Sequence, residues 1–394
     1  MNAVNFRTDF NMDAVSRWRP EQVAAIPMQA DASLPVIVER DVVPLLTGHV
    51  VWDMWPIAHE DGSTLIADGR SFWFFLTAPR LPDPDLRHDM ARIRLFSRGS
   101  DGWLDHGNTF PNGFTPGSRE WSGSAVLGSD GATLTMYFTA AGRAGRERTF
   151  EQRLFETRGL LRIEDGHPHL GGWTEPVESV VADGACYARA DQREPDFGLI
   201  RGFRDPGYFR DPADASEHLL FTGSAGWTDE PYGGVIGLAT RIDGCWKLQR
   251  PLLSAVGVNA ELERPHVVFH ANRYYLFWST QRSRFAPGGP SGPNGLYAMV
   301  ADQLEGPWRP VNGTGLVAGN PASKPQQAYC WWVTGELDVI SFIDRWGMEG
   351  CDALSGPALA SGQFGGTVAP SFRILISGDQ IHAASETEPD ENGG

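Results

Sequence analysis

Three carboxylates, each set in a short string of aromatic, arginine and proline residues, are the groups in this 394-residue chain best equipped for chemistry. Asp53 lies in Val51-Trp52-Asp53-Met54-Trp55-Pro56, Asp205 in Phe203-Arg204-Asp205-Pro206, and Glu263 in Glu261-Leu262-Glu263-Arg264-Pro265-His266. Breaking a glycosidic bond with retention asks for these parts: one carboxylate as nucleophile and a second as acid/base. A third carboxylate can grip ring hydroxyls, and tryptophan can stack on the apolar face of a sugar. Each string alone is ordinary. Asp53 beside two tryptophans also reads as a strand-end turn, Glu-Leu-Glu-Arg as a solvated charge pattern, and Arg-Asp-Pro as a turn that recurs at Arg210-Asp211-Pro212. Their joint occurrence, in this order, carries the reading.

Together the strings resemble glycoside hydrolase family 68, the sucrose-cleaving levansucrases, inulosucrases and bacterial β-fructofuranosidases, from about Val51 to Phe372. The resemblance implies Asp53 as nucleophile, Glu263 as acid/base and Asp205 as stabiliser of an oxocarbenium-like transition state. It also implies Trp52, Trp121, Ser122, Arg204, Glu261, Arg264, Gln281, Tyr329 and Arg345 as substrate-binding residues. Trp52 and Trp55 are expected to offer stacking surface beside Asp53, and Arg264 to face a sugar hydroxyl or Asp205. Glu263 is expected to hold its proton through burial and nearby negative charge. Gln281, 18 residues after Glu263, stands where polymer-making relatives often carry Arg or His, which favours hydrolysis as the alternative outcome. Ala260 replaces an Asp of the calcium-binding members, so no metal is expected, and no other cofactor.

Something must hold these residues in one place. Strand-length runs rich in β-formers dominate the chain: residues 71–76, 133–138, 218–222, 273–278 and 337–342, each bounded by Gly, Asp, Asn or Pro. Asp53, Asp205 and Glu263 are each followed within some 10 to 20 residues by one such run. An all-β fold follows, a sandwich, barrel or propeller, with one carboxylate per unit if it is a propeller. The resemblance makes it a five-bladed β-propeller with a central funnel. Asp13 to Ala25 predicts one or two short helices, Pro20 setting a first helical position. The expected organisation is an N-terminal segment over 1–47, one catalytic domain over 48–384, and an acidic, disordered tail over 385–394.

Composition narrows the partners. A formal charge of −16 leaves no basic stripe for nucleic acid or anionic membrane surfaces, whereas neutral sucrose and sugar acceptors are indifferent to it. No run approaches the ~18 apolar residues of a membrane span. Cys186, Cys245, Cys330 and Cys351 have no zinc spacing and fit either disulfides or buried thiols. His167-Pro168-His169 reads as a surface turn. The N-terminus shows no cleavable signal, so an extracellular or periplasmic location rests on the resemblance, and a cytoplasmic one fits equally. Oligomeric state is open. Two other readings compete: a propeller glycosidase acting on arabinan or xylan side chains, and a sugar-binding lectin in which the carboxylates only hydrogen-bond.

Overall fold

The computed structural model describes residues 14–27, 32–196, 198–346 and 363–384. Each strand-length run expected from the sequence is the second strand of an antiparallel meander: Arg70–Pro79, Thr133–Ala141, Glu217–Ser224, Arg273–Thr280 and Asp338–Arg345. Their partners are five first strands, His49–His59, Arg119–Leu127, Phe203–Arg210, Glu263–His270 and Ala328–Val333. The recurrence seen behind three motifs therefore extends to all five meanders. Parallel pairing of residues 57–59 with 125–127 joins the first two into one ten-stranded sheet. Each first strand packs on the next, and the fifth packs back on the first, closing a propeller-like ring.

The aromatic second strands form the layers between sheets. Phe72, Phe74 and Phe75 are wholly buried in one cluster with Trp55, and Leu276 and Trp278 in another. A short helix, Pro20–Ala24, opens with proline as expected. Trp18 just before it is 1% exposed, packs edge-on against Trp278 at 5.3 Å, and donates to the Thr314 carbonyl at 3.0 Å. The acidic tail and Cys351 lie outside the described residues.

Each first strand breaks its regular pairing once. Register shifts fall between Trp52 and Met54, Trp121 and Gly123, Arg204 and Gly207, Glu263 and His266, and Tyr329 and Trp332. A β-bulge leaves a residue unpaired and re-aims its side chain. The residues within these breaks include Asp53, Ser122, Asp205, Arg264 and Cys330. Four of them adopt the left-handed region: Asp53 at φ 42°, Asp205 at 60°, Arg264 at 52° and Cys330 at 58°. For a non-glycine residue that conformation costs about 1–2 kcal/mol. Pro206 and Pro265 also fall inside the breaks, where a missing N–H forfeits no ladder bond. The Asp-Pro and Arg-Pro dipeptides are thus backbone instructions as much as chemistry.

Gly123 marks how tightly the second bulge is closed. A Cβ there would lie 1.8 Å from the Tyr137 carbonyl oxygen. Gly123→Ala is expected to destabilise the protein by about 3 kcal/mol or more, since the clash is with backbone and not with a movable side chain. Chemical denaturation checks this, and a change under 1 kcal/mol would show the bulge to be pliable.

Candidate active site

The bulges bring the predicted carboxylates together from three different strands. Asp205 is the most constrained. Its Oδ1 accepts from the Ser122 hydroxyl at 2.6 Å and its Oδ2 from Thr222 Oγ1 at 2.9 Å, while its own N–H donates to Thr139 Oγ1 at 2.9 Å. The Arg264 N–H adds a longer contact of 3.4 Å. Ser122, expected among the substrate-binding residues, gives its hydroxyl proton to Asp205.

Arg204 is the hub. Its Nη2 donates to Glu263 Oε1 at 2.8 Å and lies 3.3 Å from Glu261 Oε2, and its Nε is 3.6 Å from Asp205 Oδ2. Arg204 is 5% exposed, so these are ion pairs largely out of water. Glu261 has a second cation, Arg284, at 3.3 Å. The Tyr329 hydroxyl donates to Glu263 Oε2, and burial keeps that phenol neutral.

Protonation follows from these contacts. Burial pushes Asp53 up to about 6, opposed by Arg264 and reinforced by Asp205 and Glu263. Burial also raises Glu261, and the pull of Arg284 and Arg204 does not cancel it. Glu263 goes the other way. Burial alone would raise it, but Arg204, Tyr329 and Arg284 outweigh burial and hold it below its ordinary value. A carboxyl kept protonated by its surroundings was expected at Glu263. The carboxyls that are raised are instead Asp53 and Glu261, because Arg204 spends its shortest bond on Glu263.

Arg264 differs from expectation as well. Its guanidinium is directed behind Asp53: Nη2 donates to the Met54 carbonyl, Nη1 lies 3.9 Å from Cys330 Sγ, and the group sits over Trp55 and Trp332. It is 1% exposed. Only its backbone N–H meets Asp205. The bulge at Arg264 inverts the strand's alternation, and the side chain goes to the core.

Trp55 is wholly buried and offers no stacking face. Trp52 is 1% exposed, held between His88, 6.0 Å away edge-on, and the Arg87 guanidinium at 5.5 Å. Its indole N–H has no hydrogen-bond partner among the described residues. Trp121 donates to the His88 carbonyl at 3.0 Å. Arg345 is fixed by both oxygens of Asp85, each at 3.2 Å. Gln281, just past its strand, accepts from Ser283 at 3.3 Å. The cation that reaches Glu261 from this turn is Arg284, three residues further on.

His266 explains the last letter of Glu-Arg-Pro-His. Its Nε2 accepts from the Val333 N–H at 3.0 Å, which leaves the proton on Nδ1 for the Arg264 carbonyl, also at 3.0 Å. Burial lowers its pKa to about 3, so the ring stays neutral. It ties the fourth first strand to the fifth. Among the described residues no group of three or more His, Cys, Asp or Glu is arranged to hold a metal.

Against known proteins, the levansucrase/invertase family model matches residues 8–240 and 229–391. The chain belongs to the levansucrase/invertase family. A levansucrase of Erwinia amylovora is 32% identical over 381 residues, covering 86% of each chain. One of Zymomonas mobilis subsp. mobilis is 33% identical, covering 93% of this chain and 87% of its own. Among solved structures, an inulosucrase from Halalkalicoccus jeotgali bound to kestose superposes with a TM-score of 0.84 at 38% identity, covering 94% and 95%. A levansucrase from Gluconacetobacter diazotrophicus gives 0.79 at 25% identity, covering 97% and 92%. The family expected from the carboxylate strings is therefore correct, and so is an all-β, propeller-like fold. The protein is a levansucrase-type enzyme, a fructosyltransferase acting on sucrose.

Proposed function

We propose that Asp53 attacks the anomeric carbon of the fructosyl unit of sucrose while Glu263 protonates the departing glucosyl oxygen. The products of this half-reaction are glucose and a covalent fructosyl-Asp53 ester. Glu263, now a carboxylate, then takes a proton from water or from an acceptor hydroxyl, whose oxygen attacks the same carbon and frees Asp53. Asp205, its two oxygens pinned by Ser122 and Thr222, is placed to grip the fructosyl hydroxyls as the ring flattens. The observation that carries this reading is convergence: Asp53 feels the charges of both Asp205 and Glu263, one within and one at the edge of a bulge, on different strands.

Glu263 must carry a proton when sucrose is bound. Arg204 contacts Glu261 and Glu263 with the same nitrogen, so a small shift toward Glu261 as sugar excludes water would release Glu263 to be protonated. Sugar acceptors come first among the second substrates, giving levan or short fructo-oligosaccharides. The inulosucrase relative's bound kestose supports this. Net hydrolysis is the alternative, because Gln281 brings no charge to the mouth. Trp52, Trp121, Tyr329 and Arg345 would line the sugar sites. Action outside the cell belongs to the same proposal.

The test is sucrose incubation with glucose and fructose quantified separately. Glucose in clear excess supports transfer, equal amounts support hydrolysis, and neither sugar sinks the reading. The pH profile is a second check. A nucleophile must be ionised, and Asp53 titrates at about 6 in the free enzyme. The ratio kcat/KM is therefore expected to fall as pH drops through about 6, and a profile flat down to pH 4.5 would show that burial does not raise the nucleophile.

A further inference from the structure

The connections between the second and third strands of the meanders supply walls to the site. In the first meander this connection, residues 80–91, brings Arg87 and His88 against Trp52. In the fourth, residues 281–294, it brings Arg284 to Glu261. The third meander's connection, residues 225–233, leaves its second strand just beyond Thr222, which holds Asp205. It also borders Glu261. The Gly234 N–H donates to the Asn259 carbonyl at 2.8 Å, and Asn259 Oδ1 accepts from the Glu261 N–H at 2.8 Å. The reaction scheme gives this loop no task.

Trp227 stands on it. Of the fourteen tryptophans it alone is exposed, at 38%. The loop beneath the indole is fixed at its base. Ala225 N–H donates to the Gly233 carbonyl at 2.8 Å, Gly226 N–H to that of Cys186 at 3.1 Å, and Gly257 N–H to that of Tyr232 at 2.9 Å. A Cβ on Gly226 would lie 2.6 Å from the Ala185 carbonyl oxygen, so the chain just before Trp227 lies flush on its neighbour. Asp229 and Glu230, both exposed on the same loop, disfavour an anionic ligand and offer oxygens to hydroxyls. An apolar ring face with carboxylates on its own loop suits an uncharged sugar. We propose that Trp227 is a stacking platform for the acceptor chain. It binds a sugar unit remote from the bond being made, and so sets how long the products grow. The inference rests on sugar transfer as the second half of the proposed reaction.

The test uses the full-length chain carrying Asp53→Asn, titrated with sucrose and with β-fructan oligosaccharides several units longer. Adding Trp227→Ala is expected to weaken the long oligosaccharides about 3- to 10-fold, the worth of one aromatic contact, and to leave sucrose unchanged. Trp227→Phe keeps an aromatic face and should recover most of that loss. With Asp53 intact, Trp227→Ala should release glucose at the parent rate while its longer products decline. Unchanged affinity for the long oligosaccharides would overturn the proposal. A loss shared by sucrose would overturn it too, as the mark of a disturbed fold. Self-association weakened by Trp227→Ala, with oligosaccharide binding intact, would instead make this face a contact between copies of the chain. Failure of the transfer reading shows separately, as equal glucose and fructose from the parent enzyme, and the binding comparison decides Trp227 either way.

Discussion

Asp53→Asn is expected to lose sucrose turnover by about 10⁴-fold or more, because an amide oxygen forms no stable fructosyl ester. Sugar binding should persist, since the side-chain volume and the pinned Asp205 are unchanged. The same variant is expected to unfold at a higher temperature at pH 7. Burial raises the folded pKa of Asp53 above its unfolded value, so its protonated form favours folding and its ionised form opposes it. That cost is absent below the unfolded value of 3.8, builds as pH rises from there to about 6 and is nearly complete above it, so the gain in melting temperature should be full at pH 7, about half that at pH 5 and small below about pH 4. Glu263→Gln is the companion, with a loss of about 10²- to 10⁴-fold on sucrose. Activity should return on a fructosyl donor whose leaving group departs without a proton, such as a fluoride. If both variants lost sugar binding along with turnover, the two carboxylates would be binding groups and not the nucleophile and acid/base.

The second large effect is at Arg204. One guanidinium meets Glu263, Glu261 and Asp205, and all four side chains are mostly out of water. Arg204→Gln leaves those charges facing one another with Arg284 alone on Glu261, a loss of about 3–5 kcal/mol. The sign with pH is fixed by the carboxylates. The deficit is largest where they are ionised and shrinks as acid protonates them, so denaturation at pH 7 should show a greater loss than at pH 5. Equal losses at both would mean that Arg204 acts by packing, not charge. Turnover should fall with it, because Asp205 and Glu263 lose their common anchor.

The parts that were legible in the sequence share a physical property. Asp53, Arg204-Asp205 and Glu263-Arg264 sit in or at the edge of bulges, and a bulge writes itself into local sequence through Pro206, Pro265 and residues that tolerate left-handed backbone. The aromatic second strands were legible because they are buried on both faces and read as continuous apolar runs. The orientation of Arg264 was not, since a shift of one residue in pairing sends a side chain to the opposite face. Thr139, Thr222 and Arg284 were missed for another reason. They are common residue types without a motif, and only closure of the ring carries them to the carboxylates. Arg284 had one faint signal, a basic residue three places after Gln281 where a charge was sought. The pKa order was hidden too, because it depends on which carboxylate receives Arg204's shortest bond.

The four left-handed residues at the bulges have a consequence for heat resistance. At about 1–2 kcal/mol each, their combined cost approaches the 5–15 kcal/mol net stability of an ordinary protein. The inner ring is therefore held in shape by the sheets around it, as a sprung hoop is held by its staves. Thermal tolerance in this enzyme should be sought at its periphery, in the outer strands and their turns, where added stability costs no turnover. Substitutions that relax the hoop itself, glycine or asparagine at the bulge positions, would yield sturdier proteins that no longer work.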